Sequence, residues 1–181
     1  MSNLPIILDL CGGTGAWSKP YVDAGYDVRL VTLPEQDVRL YQPPENVHGI
    51  LAAPPCTHFS GSGARWWKQK GPEAIIEGLS VVDACLRIIW TAQPEWFVME
   101  NPVGRLRNFI GPPRMYFDPC DFGDPYTKRT CLWGQFAIPQ KQPVIPTQGS
   151  KLHKLSPSNN RATLRSITPP GFANAFFDAN P

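Results

Sequence analysis

Pro5-Ile6-Ile7-Leu8-Asp9-Leu10-Cys11-Gly12-Gly13-Thr14-Gly15 is a short apolar run that stops on a cluster of glycines. A run of that length bounded by glycine reads as a buried strand feeding a tight turn. Ser18-Lys19-Pro20 follows, with a hydroxyl residue where a helix cap belongs and a proline in the first turn. The stretch predicts strand, glycine turn and helix, with Gly25 closing the helix.

Working outward, Tyr26-Asp27-Val28-Arg29-Leu30-Val31 alternates toward a second strand before Pro34, and Val47 to Ala53 forms a third apolar run that halts at Pro54-Pro55. Between Pro72 and Gln93, Ile75, Leu79, Val82, Leu86 and Ile89 recur at three- and four-residue steps, the stripe of an amphipathic helix that Pro94 ends. Glu95-Trp96-Phe97-Val98-Met99-Glu100 reads as a buried strand and Cys131-Leu132-Trp133 as a further one. Alternating strands and helices predict an α/β fold, a mostly parallel sheet with helices on both faces. Ligands bind such sheets at the carboxyl ends of the strands. Gly12 to Gly15, Pro54 to Cys56 and Glu100 to Pro102 all fall at that edge.

A chain of 181 residues is expected to form a single domain, 1–181. Apolar residues make up 42% and charged residues 18%. No apolar stretch reaches the roughly 18 residues of a membrane span, and Met1 to Leu10 lacks a basic-then-apolar leader, so a cytoplasmic monomer without a membrane partner is expected. The five cysteines are scattered, without a Cys-x-x-Cys pair, which argues against disulfides and metal. A net charge of +2 leaves any polyanion site to local clustering.

Glycines at 12, 13 and 15 let the backbone pass close to a bound nucleoside, although a tight turn without ligand has the same pattern. A dinucleotide fingerprint needs glycine where Ser18 stands, which favours an adenosyl group over nicotinamide or flavin. Cys56 follows two prolines and sits on a stiff segment, as a nucleophile requires; the bland alternative is a buried core thiol. Glu100 ends an apolar strand, where partial burial favours the protonated acid, against a plain solvated strand end. Phe59-Ser60-Gly61-Ser62-Gly63-Ala64-Arg65-Trp66-Trp67-Lys68 joins a glycine-serine stretch to tryptophans among cations, the composition of a lid over nucleic acid or of a loop anchored by aromatics. Residues 140–165 carry Lys141, Lys151, Lys154, Arg161 and Arg165 with no acidic residue, a phosphate-contacting arm or a solvated loop.

Taken in order, Asp9 to Gly15, Pro54-Pro55-Cys56-Thr57-His58-Phe59-Ser60, Glu100-Asn101-Pro102 and Gly123-Asp124-Pro125-Tyr126-Thr127-Lys128-Arg129 resemble the C5-cytosine DNA methyltransferase family. The tail Arg165-Ser166-Ile167-Thr168-Pro169-Pro170-Gly171-Phe172-Ala173 is similar to the closing motif of compact, phage-type members. The resemblance implies a Rossmann-like fold that binds S-adenosylmethionine through Asp9, Leu10, Cys11, Gly12, Gly13, Thr14, Gly15, Trp17 and Pro54, with Asp37 and Val38 at the adenine. It implies that Cys56 adds to carbon 6 of a cytosine rotated out of the DNA, while Glu100 protonates or hydrogen-bonds ring nitrogen 3 and carbon 5 takes the methyl group. Lys128 or Arg129 then meets the base carbonyl or a phosphate, and Pro55, Ser60, Arg65, Trp66, Trp67, Lys68, Asn101 and Thr130 line the DNA.

The chain departs from the family pattern in three places. Tyr126, Lys128 and Thr130 stand where a glutamine and two alternate arginines are usual, and no acidic residue matches the ribose ligand after the second strand. The recognition region shrinks to a short basic loop of about thirty residues, 134–166. That loop implies relaxed specificity, about one or two flanking bases, or a single-stranded substrate. A free cytosine nucleotide as substrate, and a DNA-binding decoy without turnover, are the alternatives. A role in phage DNA modification, within a host cytoplasm, fits the compact motif style.

Overall fold

In a computed structural model, the chain is described over residues 4–153, 156, 158 and 160–181. Six strands form one sheet: β1 (Ile6–Leu10), β2 (Asp27–Val31), β3 (Val47–Ala52), β4 (Trp96–Pro102), β5 (Met115–Phe117) and β6 (Thr130–Gln135), in the order β2-β1-β3-β4-β6-β5. The first four strands run parallel, and β6 and β5 pair antiparallel at one side. Strand order reverses beside β1, between β2 and β3, which opens a crevice above the carboxyl ends of β1 and β3. The expected α/β architecture is therefore the observed one.

Alternation along each strand divides the core in two. Leu8, Leu10, Ile50, Ala52 and Met99 pack on one face against Val82, Cys85, Ile88 and Ile89 of α2 (Trp67–Ala92). Ile7, Leu51, Val98 and Leu132 pack on the other against Tyr21 of α1 (Lys19–Asp23) and Phe172 and Phe176 of α5 (Pro170–Ala179). Gly71, at φ +71°, breaks α2 into a leading turn and the predicted helix, for which Pro72 supplies a proline at the start. Gln93 ends it in a left-handed conformation. The C-terminal helix is clamped to the sheet: Tyr21 Oη donates to the Asn180 carbonyl at 2.7 Å, and Asn180 exchanges two bonds with the Ala137 backbone at 2.6 and 3.0 Å.

Three local expectations change. Ser18 makes no side-chain cap: Pro20 has no N–H to offer, Tyr21 N–H donates to the Ser18 carbonyl at 3.0 Å, and the hydroxyl donates to the buried Asp9 Oδ2 at 2.6 Å. The strand β5 and a short α3 (Arg107–Ile110) lie between Pro102 and Cys131, a stretch to which the sequence reading assigns no element. Within residues 140–165 the chain is not featureless: a 3₁₀ turn spans Lys151–His153 and α4 spans Arg161–Ser166. Lys154 of that arm lies outside the described residues. Among the described residues, no helix is long and apolar enough to cross a membrane, and no group of three potential metal ligands occurs.

Candidate active site

The loops at the carboxyl edge of the sheet are stitched together by backbone bonds. Ala53 N–H donates to the Leu10 carbonyl at 2.9 Å and Cys11 N–H to the Val31 carbonyl at 2.8 Å. Pro54 is buried and its carbonyl accepts from Asn101 Nδ2 at 2.8 Å, which ties the Pro-Pro-Cys segment after β3 to the end of β4. Cys56 then opens a 3₁₀ turn, Cys56–His58, whose carbonyl at position 56 accepts from both Phe59 N–H and Ser60 N–H at 3.0 and 2.9 Å. Asn101 thus acts on the placement of Cys56 rather than lying open to a substrate.

The chain beyond Cys56 is pinned equally firmly. Gly61 N–H donates to the Val103 carbonyl, and Arg105 gives its backbone N–H to Phe59 and Nε to the His58 carbonyl, at 2.9, 2.9 and 2.7 Å. The Arg105 guanidinium lies 4.5 Å over the Trp67 ring. Trp67 therefore anchors the residue that holds the 56–61 loop. At Gly104 a Cβ would overlap the Phe59 carbonyl oxygen, so only glycine permits this approach. Gly104→Ala is expected to push the 56–61 loop away and cost about 2 kcal/mol or more of stability, with a larger fractional loss of turnover than of cofactor affinity; urea titration beside kinetics checks this.

One cavity of about 750 Å³ lies over these loops. Its walls come from Asp9, Cys11, Gly12, Gly13 and Trp17 at one end, from Ala53 to Cys56 and Ser60 to Gly63, from Glu100 and Pro102, from Thr127 to Arg129, and from Thr163, Arg165, Ser166 and Thr168. A second depression of about 670 Å³ at the β2 edge, lined by Arg29, Glu35, Gln36 and Tyr41, is more open and contains no nucleophile.

Charges inside the main cavity are tuned by their neighbours. Burial pushes the Glu100 carboxyl above its ordinary range, with the nearby Lys128 ammonium opposing the shift. The Cys56 thiol is pushed up, first by burial and then by Glu100, while Lys128 and Arg165 pull it back. Lys128 therefore acts on both reactive groups. Arg129 also lines the cavity but is engaged by neighbours: it pairs with Asp118 at 3.2 Å, stacks 5.4 Å over Tyr116, and is largely exposed. At the other end, burial raises the Asp9 carboxyl to about 6 against the Ser18 hydrogen bond. Asp9 Oδ1 and Trp17 Nε1 are both buried there without a hydrogen-bond partner.

Other residues expected at the site stand apart from the cavity walls. Leu10 and Val38 are core residues, Thr14 is exposed, and Gly15 turns at φ +71°. Asp37 is ion-paired with Arg39 at 2.6 Å, which lowers its carboxyl to about 2. Arg65 sits 5.0 Å over Trp66, which is half exposed, and Lys68 is exposed. Thr130 is buried, its hydroxyl given to the Lys128 carbonyl at 2.8 Å. Conversely, Ser62, Thr163, Ser166 and Thr168 reach the cavity without having been singled out as site residues. The signals for that wall are the positive charge of the arm, the glycine-serine stretch around Ser62 and the closing motif that holds Ser166 and Thr168.

Residues 23–109 match the family described as C-5 cytosine-specific DNA methylase. A protein of frog virus 3 (isolate Goorha), named "Probable DNA (cytosine-5)-methyltransferase", is 31% identical over 147 residues, covering 70% of this chain and 69% of its relative. The chain belongs to the C-5 cytosine-specific DNA methylase family. Its members are enzymes, and S-adenosylmethionine is their methyl donor. Among solved structures, a candidate DNA modification methyltransferase encoded within an E. coli prophage superimposes with a TM-score of 0.48 at 20% identity, over 86% of this chain. The methylase chain described here spans about half, 49%, of that structure's length.

Proposed function

We propose that this methylase transfers a methyl group to carbon 5 of cytosine in DNA through a covalent Cys56 adduct, with low sequence specificity. The observation that carries the reading is the meeting of Cys56 and Glu100, from the ends of neighbouring parallel strands, in one cavity under the field of Lys128.

The cofactor end suits a zwitterionic adenosyl ligand. Asp9 Oδ1 is a buried acceptor without a donor and Trp17 Nε1 a buried donor without an acceptor, complementary to an amino-acid ammonium and carboxylate. A Cβ at Gly12 would overlap the Asp9 carboxylate, so glycine lets the turn close over it. Asp9, Cys11, Gly12, Gly13 and Trp17 would hold S-adenosylmethionine, which supplies an electrophilic methyl group on sulfonium. Since an ammonium favours ionised Asp9, cofactor affinity is expected to be level above pH of about 6 and to fall as pH drops below it. In the free protein the sign reverses. The raised carboxyl contributes stability below its ordinary value of 3.8 that is lost as pH rises through about 6. Calorimetric titration of the cofactor across pH, repeated on Asp9→Asn, checks both; the variant should bind weakly and without that inflection.

At the other end, the Cys56 thiolate forms a bond from sulfur to cytosine carbon 6 while Glu100, biased by burial toward its protonated form, gives its proton to ring nitrogen 3. With the sulfonium donor bound, carbon 5 would accept its methyl group and leave the donor as a neutral thioether. The carbon-5 proton would pass to solvent, ring nitrogen 3 would return its proton to Glu100, and Cys56 would depart as thiolate, which restores the aromatic ring. Lys128 is the cation positioned for the base carbonyl, since Arg129 is engaged by Asp118. The cavity accepts a base only after it leaves the stack, at a cost of a few kcal/mol.

Segment 134–166 stands where a recognition domain would, and it contributes Leu152, Thr163, Arg165 and Ser166 to the cavity rather than a groove-reading surface. Methylation of random duplex and single-stranded libraries, mapped by sequencing, is expected to show about one or two preferred flanking bases. A site of four or more fixed bases would contradict the low specificity. Nucleoside mass spectrometry should find 5-methylcytosine in DNA and none in free cytosine nucleotides. The reverse pattern would shift the substrate to the monomer.

A further inference from the structure

Resting on the reading above, we infer that Arg165, delivered by α4 and tied to Ser62, holds a DNA phosphate beside the target nucleotide at the mouth of the catalytic cavity. A nucleotide presented from a polymer carries a phosphate on each side. A cavity that takes its base must therefore receive at least one of them. Segment 126–130 offers little for that purpose: Tyr126 is buried beneath Lys151, Thr130 is buried, and Arg129 is held by Asp118. Lys128 lines the same cavity and acts by charge on both Cys56 and Glu100.

Beside Lys128 and Arg129, a further cation of the cavity comes from the far end of the chain. Arg165 is half-buried in the same wall as Ser62, donating from Nη2 to Ser62 Oγ at 3.4 Å. Ser62 Oγ lies 2.9 Å from Ser60 Oγ, and Ser60 caps the turn Gly61–Trp66. Thr163, Ser166 and Thr168 add hydroxyls to the same wall. Among the described residues, no carboxylate is ion-paired with Arg165. Three groups face the thiol of Cys56 by charge: Glu100 from β4, Lys128 from the loop before β6, and Arg165 from α4. A planar guanidinium beside two serine hydroxyls, with no acidic partner, is the donor set for a phosphate, and its fork takes two oxygens at once. Gly171 N–H donates to Asp124 Oδ2 at 2.9 Å, which fixes the segment carrying Arg165 against the 123–129 stretch of the same cavity.

The test is salt-dependent binding of a fluorescent DNA oligonucleotide to the full chain with S-adenosylhomocysteine. Arg165→Gln should reduce the slope of log Kd against log salt by about 0.7 to 0.9, the loss of one phosphate contact, and raise KM for DNA more than it lowers kcat. Arg165→Lys should keep the slope. Replacing single phosphates by neutral methylphosphonate should weaken wild-type binding at one linkage flanking the target and have no effect there in Arg165→Gln. Because the wild-type protein alone shows that position effect, the test survives a variant that does not fold. An unchanged slope, or no sensitive linkage, overturns the assignment. So does a shift in the pH profile of Cys56 alkylation with the slope intact, which would make Arg165 a partner of the thiolate alone. Slope is read without turnover, so a protein that methylates cytosine but fails here loses only this inference.

Discussion

Cys56→Ala should abolish methylation of DNA while leaving the protein folded and loaded, a fall in turnover of about four orders of magnitude or more. The side chain is small and half-buried, and the segment is held by backbone and by Asn101 rather than by the thiol. Stability is therefore expected to change by about 1 kcal/mol or less, and cofactor affinity to remain, since Asp9 and Trp17 lie at the other end of the cavity. Single-turnover assays beside calorimetry separate these effects. Residual methylation within about a hundredfold of wild type would mean that another group attacks carbon 6. Decoy function without turnover would instead show as wild-type protein that binds DNA and never methylates it.

Glu100→Gln is expected to lower kcat by about 10² to 10⁴ and to change the shape of the pH profile. Catalysis requires Cys56 as thiolate and Glu100 as acid, yet the ordinary carboxyl value of 4.5 lies far below the ordinary thiol value of 9.0, and burial raises both. The competent form is thus the minor, reverse-protonated one. Its abundance is level between the two titrations, falls below that of Glu100 as the thiolate is lost, and falls above that of Cys56 as the acid is lost. The acidic limb of kcat/KM therefore reports Glu100 and the alkaline limb Cys56. In Glu100→Gln only the thiolate titrates, so kcat/KM should climb tenfold per pH unit throughout the former plateau. A plateau that survives in the variant would remove Glu100 from the proton transfer.

Much of the fold is legible because the local signals are strong: apolar runs in Ile6 to Leu10 and Val47 to Ala52, with glycine or proline where these strands stop. Cys56 and Glu100 stand out in sequence for the same reason, since strand ends in a parallel sheet converge. What is illegible depends on partners far along the chain. Trp67 reads either as a lid residue or as an anchor of its loop, and its contact with Arg105 is visible only in the fold; so is the bond from Asn101 to the Pro54 carbonyl. Asp37 fits a motif, but the adjacent Arg39 claims its carboxylate. The strand β5 is three residues long and gains its pairing only from β6. Arg165 lies in a stretch with no period at all, and its place in the cavity depends on the tail being docked through Gly171.

The covalent adduct is the centre of the account, and DNA carrying 5-fluorocytosine traps it. Fluorine at carbon 5 cannot depart as a proton does, so once the methyl group has moved, Cys56 cannot leave. Incubation of the protein with S-adenosylmethionine and such DNA, followed by intact mass and peptide analysis, should give a denaturation-stable complex equal to protein plus DNA plus one methyl group, linked through Cys56. Methylated product from ordinary DNA with no trapped complex, or a link through any other residue, would contradict it.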